Sequence, residues 1–205
     1  MSAELISLAR GFAEPVHDAG SVFRVLLDAL AMPGRTVPLD GVFSGLEDLD
    51  PGISRPLAAT LLTLADFETP VWIDADPGRH LAALIRFHCG APLAGAAGDA
   101  QFAVLRHAQA MPSLDTFSWG TAEYPDRSAT LLIQLPSLDG GRPLCLTGPG
   151  IEAARPFAPL GLPGVFWEQR ERMQGDFPCG LDCFFFDNSR VAGLPRTTLT
   201  RTVEH

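Results

Sequence analysis

The first clear pattern along the chain is an apolar stripe at helical spacing in residues 18–32. Its members are Val22, Phe23, Leu26, Leu27 and Leu30. Asp18 can cap the start of this segment, and Pro33-Gly34 can end it. The spacing therefore predicts a helix over residues 18–32. The next twenty residues are rich in Gly, Asp and Pro and predict a loop or an irregular sheet edge.

Three further segments predict helices. Ser54 precedes "RPLAATLLTLAD", which places a proline in the first turn of a helix. Asp76-Pro77 has the same cap-then-proline signature and predicts a helix that reaches about Cys89, before Gly90. The segment "GVFWEQRERMQ" (residues 164–174) predicts the last one.

Short apolar runs predict six strands. They are residues 71–73, 101–106, 128–138, 142–147, 181–187 and 190–195. Asp139-Gly140-Gly141 predicts a hairpin between the third and fourth runs, and residues 187–189 predict one between the last two. Helices and strands alternate early, whereas hairpins dominate late. This order predicts an α/β fold with a mixed sheet, in a single domain over residues 1–205.

Composition narrows the possible functions. The chain has 205 residues, 46% of them hydrophobic, and a net charge of -9 without a dense basic cluster, so nucleic acid is not an expected partner. The N-terminal residues do not resemble a signal peptide and no apolar run reaches the length of a membrane span, so we expect a cytoplasmic protein without a membrane partner. The four cysteines lack the spacing of zinc or redox sites and are expected to be thiols.

All fifteen basic residues are arginine. A pyridoxal phosphate enzyme forms its Schiff base through a lysine, and a P-loop reaches the outer phosphates with one. Both mechanisms are therefore excluded. No cofactor or metal is expected, and no motif identifies a catalytic residue.

Two motifs are candidates for binding phosphate. Gly148 and Gly150 follow an apolar run in "LTGPGI" and have the first spacing of a dinucleotide fingerprint, but the intervening proline removes one N–H donor. A structural turn is the alternative. In "LPRTT", one guanidinium (Arg196) and two hydroxyls (Thr197 and Thr198) could bind an oxyanion, or could serve a surface ion pair and a strand.

Seven segments stand in order along the chain: "FRVLLDALAMPG" (23–34), "TLLTLADFETPVW" (60–72), "RFHCGAPL" (86–93), "GTAEYPDRSATLLI" (120–133), "LCLTGPGI" (144–151), "FPCGLD" (177–182) and "LPRTT" (194–198). Through these segments the chain resembles the H-subunit (PhnH) family of the bacterial carbon–phosphorus lyase core complex. Cys89 stands where the family has threonine, and Asp126 where it often has glutamate.

The resemblance implies a three-layer α/β/α fold like that of pyridoxal-phosphate-dependent transferases, without the cofactor site. It also implies a homodimer that joins G, I and J subunits. With G, I and L subunits, such a chain supports transfer of a phosphonate onto ribose C1 of ATP, which releases adenine and gives a ribose 1-phosphonate 5-triphosphate. No catalytic residue is implied for the H subunit.

Two hypotheses about function follow. The first is a non-catalytic or accessory subunit of that complex. The second is an autonomous nucleotide- or phosphate-binding enzyme that uses the Gly148-Gly150 loop and Arg196. Non-covalent binding of pyridoxal phosphate by a vestigial fold is a third and weaker possibility.

Overall fold

The computed structural model describes residues 9–39, 41, 43–74, 76 and 79–202 of the chain. Its helices are α1 (Pro15–Ala31), α2 (Arg55–Leu64), α3 (His80–His88) and α4 (Gly164–Met173). Its strands are β1 (Thr36–Pro38), β2 (Val71–Ile73), β3 (Phe102–Leu105), β4 (Thr130–Gln134), β5 (Leu144–Thr147), β6 (Arg155–Phe157), β7 (Asp182–Phe186), β8 (Arg190–Leu194) and β9 (Leu199–Thr202).

A mixed six-stranded sheet forms the centre of the molecule, in the order β1-β8-β7-β4-β3-β2. The strands β2, β3, β4 and β7 are parallel, and β8 is antiparallel to both of its neighbours. The predicted α/β class and mixed sheet are thus confirmed. The likeness to the transferase fold stays a prediction.

Both faces of this sheet are buried, as the alternation along β7 shows. Phe184 and Phe186 pack in the core under α1, α2 and α3. Cys183 and Phe185 face the other core, where α4 lies beside a three-stranded sheet, β6-β5-β9. The second outer layer is therefore part helix and part sheet. Parallel strands buried on both faces read as continuous apolar runs, which explains "CFFF" in β7.

The predicted hairpin at Asp139-Gly140-Gly141 is wrong, because β4 and β5 belong to different sheets. Both edges of β4 pair in parallel, with β3 and β7, so no edge is left for an antiparallel partner. The glycine turn instead contacts the segment just after β6, where the Gly141 N–H donates to the Ala158 carbonyl at 2.8 Å.

The predicted hairpin between β7 and β8 is confirmed, with Phe186 opposite Val191. Asp187 organises its turn, because one carboxylate oxygen accepts hydrogen bonds from the N–H groups of Ser189 (3.0 Å) and Arg190 (2.8 Å). Burial alone would raise the pKa of Asp187. The hydrogen bonds from Ser189 and Arg190 outweigh burial and lower it.

Two helices begin at other residues than predicted. α1 begins at Pro15, and Asp18 lies within its first turn, where its carboxylate accepts from the Glu14 N–H at 3.0 Å. α3 begins at His80, and the Asp76 carboxylate accepts from the Ala82 N–H at 2.8 Å. Asp76 thus caps α3 from outside the helix, whereas Pro77 lies outside the described residues.

Candidate functional site

The structure brings the two predicted phosphate motifs together. β5 pairs with β9, so the turn at Gly148–Gly150 lies against residues 197 and 198. A Cβ atom at position 148, where φ is +130°, would lie 2.9 Å from the Thr197 carbonyl oxygen. Sequence reasoning singled out both motifs, and their proximity follows from a strand pairing that the sequence did not predict.

Backbone packing accounts for the glycines of this turn. Gly150 has φ +79°, and a Cβ atom there would lie 2.1 Å from the Ala31 carbonyl oxygen at the end of α1. The Ile151 N–H donates to the Gly148 carbonyl at 3.1 Å, which closes the turn. The glycines therefore let the loop touch α1 and β9 closely.

Arg196 directs its guanidinium at oxygen atoms of its own chain. Nε and Nη2 donate to the Asp182 carboxylate, at 3.2 and 2.7 Å. Nη1 donates to the carbonyl oxygens of Pro125 (2.7 Å) and Pro178 (3.3 Å), and Nη2 also donates to the Ser128 hydroxyl. Each guanidinium nitrogen thus has as many acceptors as it has hydrogens. This geometry favours a structural role over anion binding.

A second arginine, Arg170, lies near Arg196 and is almost fully buried. Arg170 on α4 is 2% exposed and donates to the backbone carbonyls of Leu181, Leu194 and Pro195. Burial lowers its pKa, and burial raises the pKa of the nearby Cys183 thiol to about 12. Sequence reasoning missed Arg170. The available signal was its spacing from Phe166 and Met173, which share the buried face of α4.

We call this region the arginine corner; it comprises Arg170, Arg196, Asp182, Ser128 and residues 148–150 and 197–198. Thr198 is fully buried there, and its hydroxyl has no hydrogen-bond partner within the described part of the chain. Thr197 is half-buried. The glycine turn and the buried Thr198 hydroxyl lie close together, which favours the predicted phosphate site. The contacts of Arg196 with its own chain argue against that site.

A polar cluster marks the carboxyl ends of β2 and β3, where α/β sheets often bind ligands. Arg106 donates to the Asp76 carboxylate at 3.4 Å and to the Gly52 carbonyl at 3.0 Å. The His107 N–H donates to the Asp74 carboxylate at 2.9 Å. The Arg106 bonds join the strand ends to the loop before α2, and the His107 bond joins the two strand ends to each other, so the cluster has a structural role.

A groove of about 390 Å³ runs along the outer edge of β2, and we call it the edge groove. One wall consists of Val71, Ile73, Leu93 and Ala94; the other consists of Arg79, Ala82, Ala83 and Arg86 on or beside α3, with Asp76 at one end. Both arginines are exposed. An apolar groove with a few charged groups at its rim is typical of a binding site.

The residues that the structure describes contain neither a metal cluster nor a membrane-spanning helix. Within them, no three His, Cys, Asp or Glu side chains are placed to hold a metal ion. No helix in those ranges has the length and hydropathy to cross a bilayer.

Cys89, at the end of α3, has its pKa raised to about 11, first by burial and then by the charge of Asp66.

Fold and contacts together define an α/β protein in which two buried charged side chains, Arg170 and Asp187, form hydrogen bonds with its own backbone. The family model described as bacterial phosphonate metabolism protein (PhnH) matches residues 10–201, and the chain belongs to this family. The resemblance drawn from the seven segments is thereby confirmed.

Two relatives agree with this assignment. The chain is 38% identical over 199 residues to the alpha-D-ribose 1-methylphosphonate 5-triphosphate synthase subunit PhnH of Rhizobium meliloti strain 1021; the match covers 97% of this chain and 98% of that protein. It is 32% identical over 181 residues to HtxG of Stutzerimonas stutzeri, described as a candidate C–P lyase subunit, with 87% and 83% covered.

Proposed function

We propose that this chain is a non-catalytic, accessory subunit of a carbon–phosphorus lyase complex. It supports transfer of a phosphonate onto ribose C1 of ATP, with release of adenine and synthesis of a ribose 1-phosphonate 5-triphosphate. The observation that carries the proposal is the 38% identity, over nearly the full length of both chains, to a subunit named for this synthase.

Surface features support a role in assembly. Several large apolar side chains are exposed, among them Phe67 (74%), Phe87 (71%) and Phe177 (64%). Exposed aromatic groups of this size often mark contacts between proteins. The arginines of the arginine corner, in turn, hold strands and loops together, which fits a scaffold.

The proposed partners are a second copy of the chain and the G, I and J subunits of the complex, with a functional link to the L subunit. The proposal implies a cytoplasmic location, because ATP is the acceptor of the phosphonate.

Co-expression with the cognate G, I and J subunits, followed by affinity purification and mass determination, tests the proposed assembly. We expect a stoichiometric complex that contains this chain. Adenine release from ATP and methylphosphonate by G, I and L should fall to background when the chain is omitted, and should return when it is added. Assembly and full activity without the chain would contradict the proposal.

The alternative is an autonomous nucleotide- or phosphate-binding enzyme that uses Gly148, Gly150 and Arg196. The observation in its favour is the contact between the glycine turn and residues 197–198. Calorimetric titration of the isolated chain with ATP, and separately with methylphosphonate, distinguishes the two. Saturable binding that is lost in Thr197→Ala would favour the enzyme, whereas the subunit proposal expects no heat of binding.

A further inference from the structure

We propose that the edge groove binds the turn at residues 66–68 of a second copy of this chain, with Phe67 inserted between the groove's walls. The inference rests on the proposed function, which includes self-association. It adds the surface on which the two copies meet and the residue that anchors them.

The turn that carries Phe67 is fixed by its own hydrogen bonds. The Asp66 carboxylate accepts from the Glu68 N–H at 2.9 Å and from the Thr69 hydroxyl at 2.6 Å. The Thr69 N–H donates to the Asp66 carbonyl at 3.1 Å. Phe67, at the tip, is 74% exposed. A rigid aromatic residue in water loses little conformational entropy on binding, so it is suited to anchor an interface.

The edge groove matches this turn in shape and in charge. Residues 79, 82, 83 and 86 follow helical spacing, so two alanines form an apolar wall with an arginine toward each end. Asp76 also lies at the Arg79 end, where its carboxylate accepts hydrogen bonds from Arg106 and from the Ala82 N–H. The turn has the reverse arrangement, in which Phe67 lies between the carboxylates of Asp66 and Glu68. Insertion of the ring would bring acidic groups toward Arg79 and Arg86.

A second copy fits better than an unrelated partner because the turn and the groove share one edge of the molecule. A Cβ atom at Gly90, just beyond α3, would lie 3.8 Å from the Phe67 Cβ. The base of the Phe67 side chain therefore lies near the Arg86 end of α3, beside the groove. A two-fold axis between them would place each Phe67 in the other copy's groove, as an isologous interface requires. Residues 92–94 already pair with β2 at Val71, the last strand on this side of the six-stranded sheet, so the contact would cover only the rest of this edge.

The test measures self-association of the full chain by analytical ultracentrifugation. We expect a dimer, and a rise of about 30-fold or more in its Kd for Phe67→Ser. Phe23→Ser is the matched control, because Phe23 is exposed on α1; its Kd should match that of the wild type. A monomeric wild type, or a dimer that Phe67→Ser leaves intact, would overturn the inference. So would dissociation by Phe23→Ser alone.

A charge exchange tests the pairing across the interface. Arg86→Glu and Glu68→Arg should each weaken the dimer, and the double variant should regain most of the wild-type affinity. Failure of the double variant to recover would contradict the arrangement. Circular dichroism of each variant checks that the fold is retained.

Co-purification separates this inference from the proposed function. If Phe67→Ser still self-associates but no longer binds the G, I and J subunits, the groove binds one of those subunits and the second-copy inference is wrong. The proposed function would stand in that case. A Phe67-dependent dimer that never joins the other subunits would support the second-copy inference and contradict the proposed function.

Discussion

The arginine corner and the edge groove both place arginines at the margin of the sheet, but they use the charges differently. In the corner, Arg196 directs its donors at Asp182, Ser128 and backbone carbonyls. In the groove, Arg79 and Arg86 are exposed and belong to the same wall as Ala82 and Ala83. The contrast shows that an arginine in a motif resembling an anion-binding site can instead stabilise the fold through hydrogen bonds to its own chain. Arg79 and Arg86, which are exposed to a partner, lie in segments without a binding motif.

The largest expected effect is from loss of the buried guanidinium in the arginine corner. Arg170→Met removes the guanidinium donor from the carbonyls of Leu181, Leu194 and Pro195. Pro195 keeps the Thr198 N–H as a donor, whereas a buried carbonyl left unpaired costs about 1–3 kcal/mol. We expect the free energy of unfolding to fall by about 3–5 kcal/mol in urea denaturation. Arg172→Met, on the exposed side of the same helix, should change it by less than about 0.5 kcal/mol. Equal effects would contradict the structural role.

Arg196→Ala is the next largest, because it leaves Asp182 and the Pro125 carbonyl without their charged donor. We expect a loss of about 2–4 kcal/mol in thermal or urea unfolding. The exposed Arg86→Ala should stay within about 0.5 kcal/mol. If Arg196→Ala instead keeps full stability and abolishes binding of ATP, the corner is an anion site after all.

These two arginines show what sequence reasoning could and could not give. It found Arg196, since "PRTT" is a recognisable motif, but it could not place Asp182 and Pro125 beside it. Those contacts come from β7 and from the turn before β4, which meet only through parallel pairing. Arg170 lay in a predicted helix, where its charge argued against burial and only its spacing from Phe166 and Met173 pointed to it.

The fold was predictable where a segment's own pattern decides it. Helices α2 and α4 and the β7–β8 hairpin follow from local spacing and turn residues. The glycine turn at residues 139–141 has equally strong local signals, yet the pairing of β4 on both edges prevails over them. Strand β6 was not predicted, because Pro156 argues against a strand unless it lies at an edge, where β6 does lie.

A glycine exchange sharpens the comparison at the corner. Gly150→Ala combines a left-handed φ of +79° with a Cβ atom 2.1 Å from the Ala31 carbonyl, so we expect a loss of about 2–3 kcal/mol. Gly140→Ala has a similar φ of +86° but open space around it, and should cost about 1 kcal/mol. Comparable urea midpoints for the two variants would show that the loop does not pack tightly on α1.

The smallest effect belongs to Thr198→Val, which keeps the shape and removes the buried hydroxyl. Because that hydroxyl has no partner in the described part of the chain, we expect stability to be unchanged or to rise by up to about 1 kcal/mol. Differential scanning calorimetry measures the change. If Thr198→Val is less stable, and phosphate stabilises the wild type but not this variant, the hydroxyl holds an anion.

The parallel pairing of β4 with β7 also shapes how the chain must fold during synthesis. Thr130 lies opposite Asp182, so β4 leaves the ribosome roughly 50 residues before its partner, which takes about 3–10 s at ordinary translation rates. During that interval an apolar strand has one edge unpaired, because its other neighbour, β3, covers only the opposite edge. Nascent chains that stall in this interval should be the ones that aggregate, and slower translation of residues 135–181 should lower the yield of soluble protein.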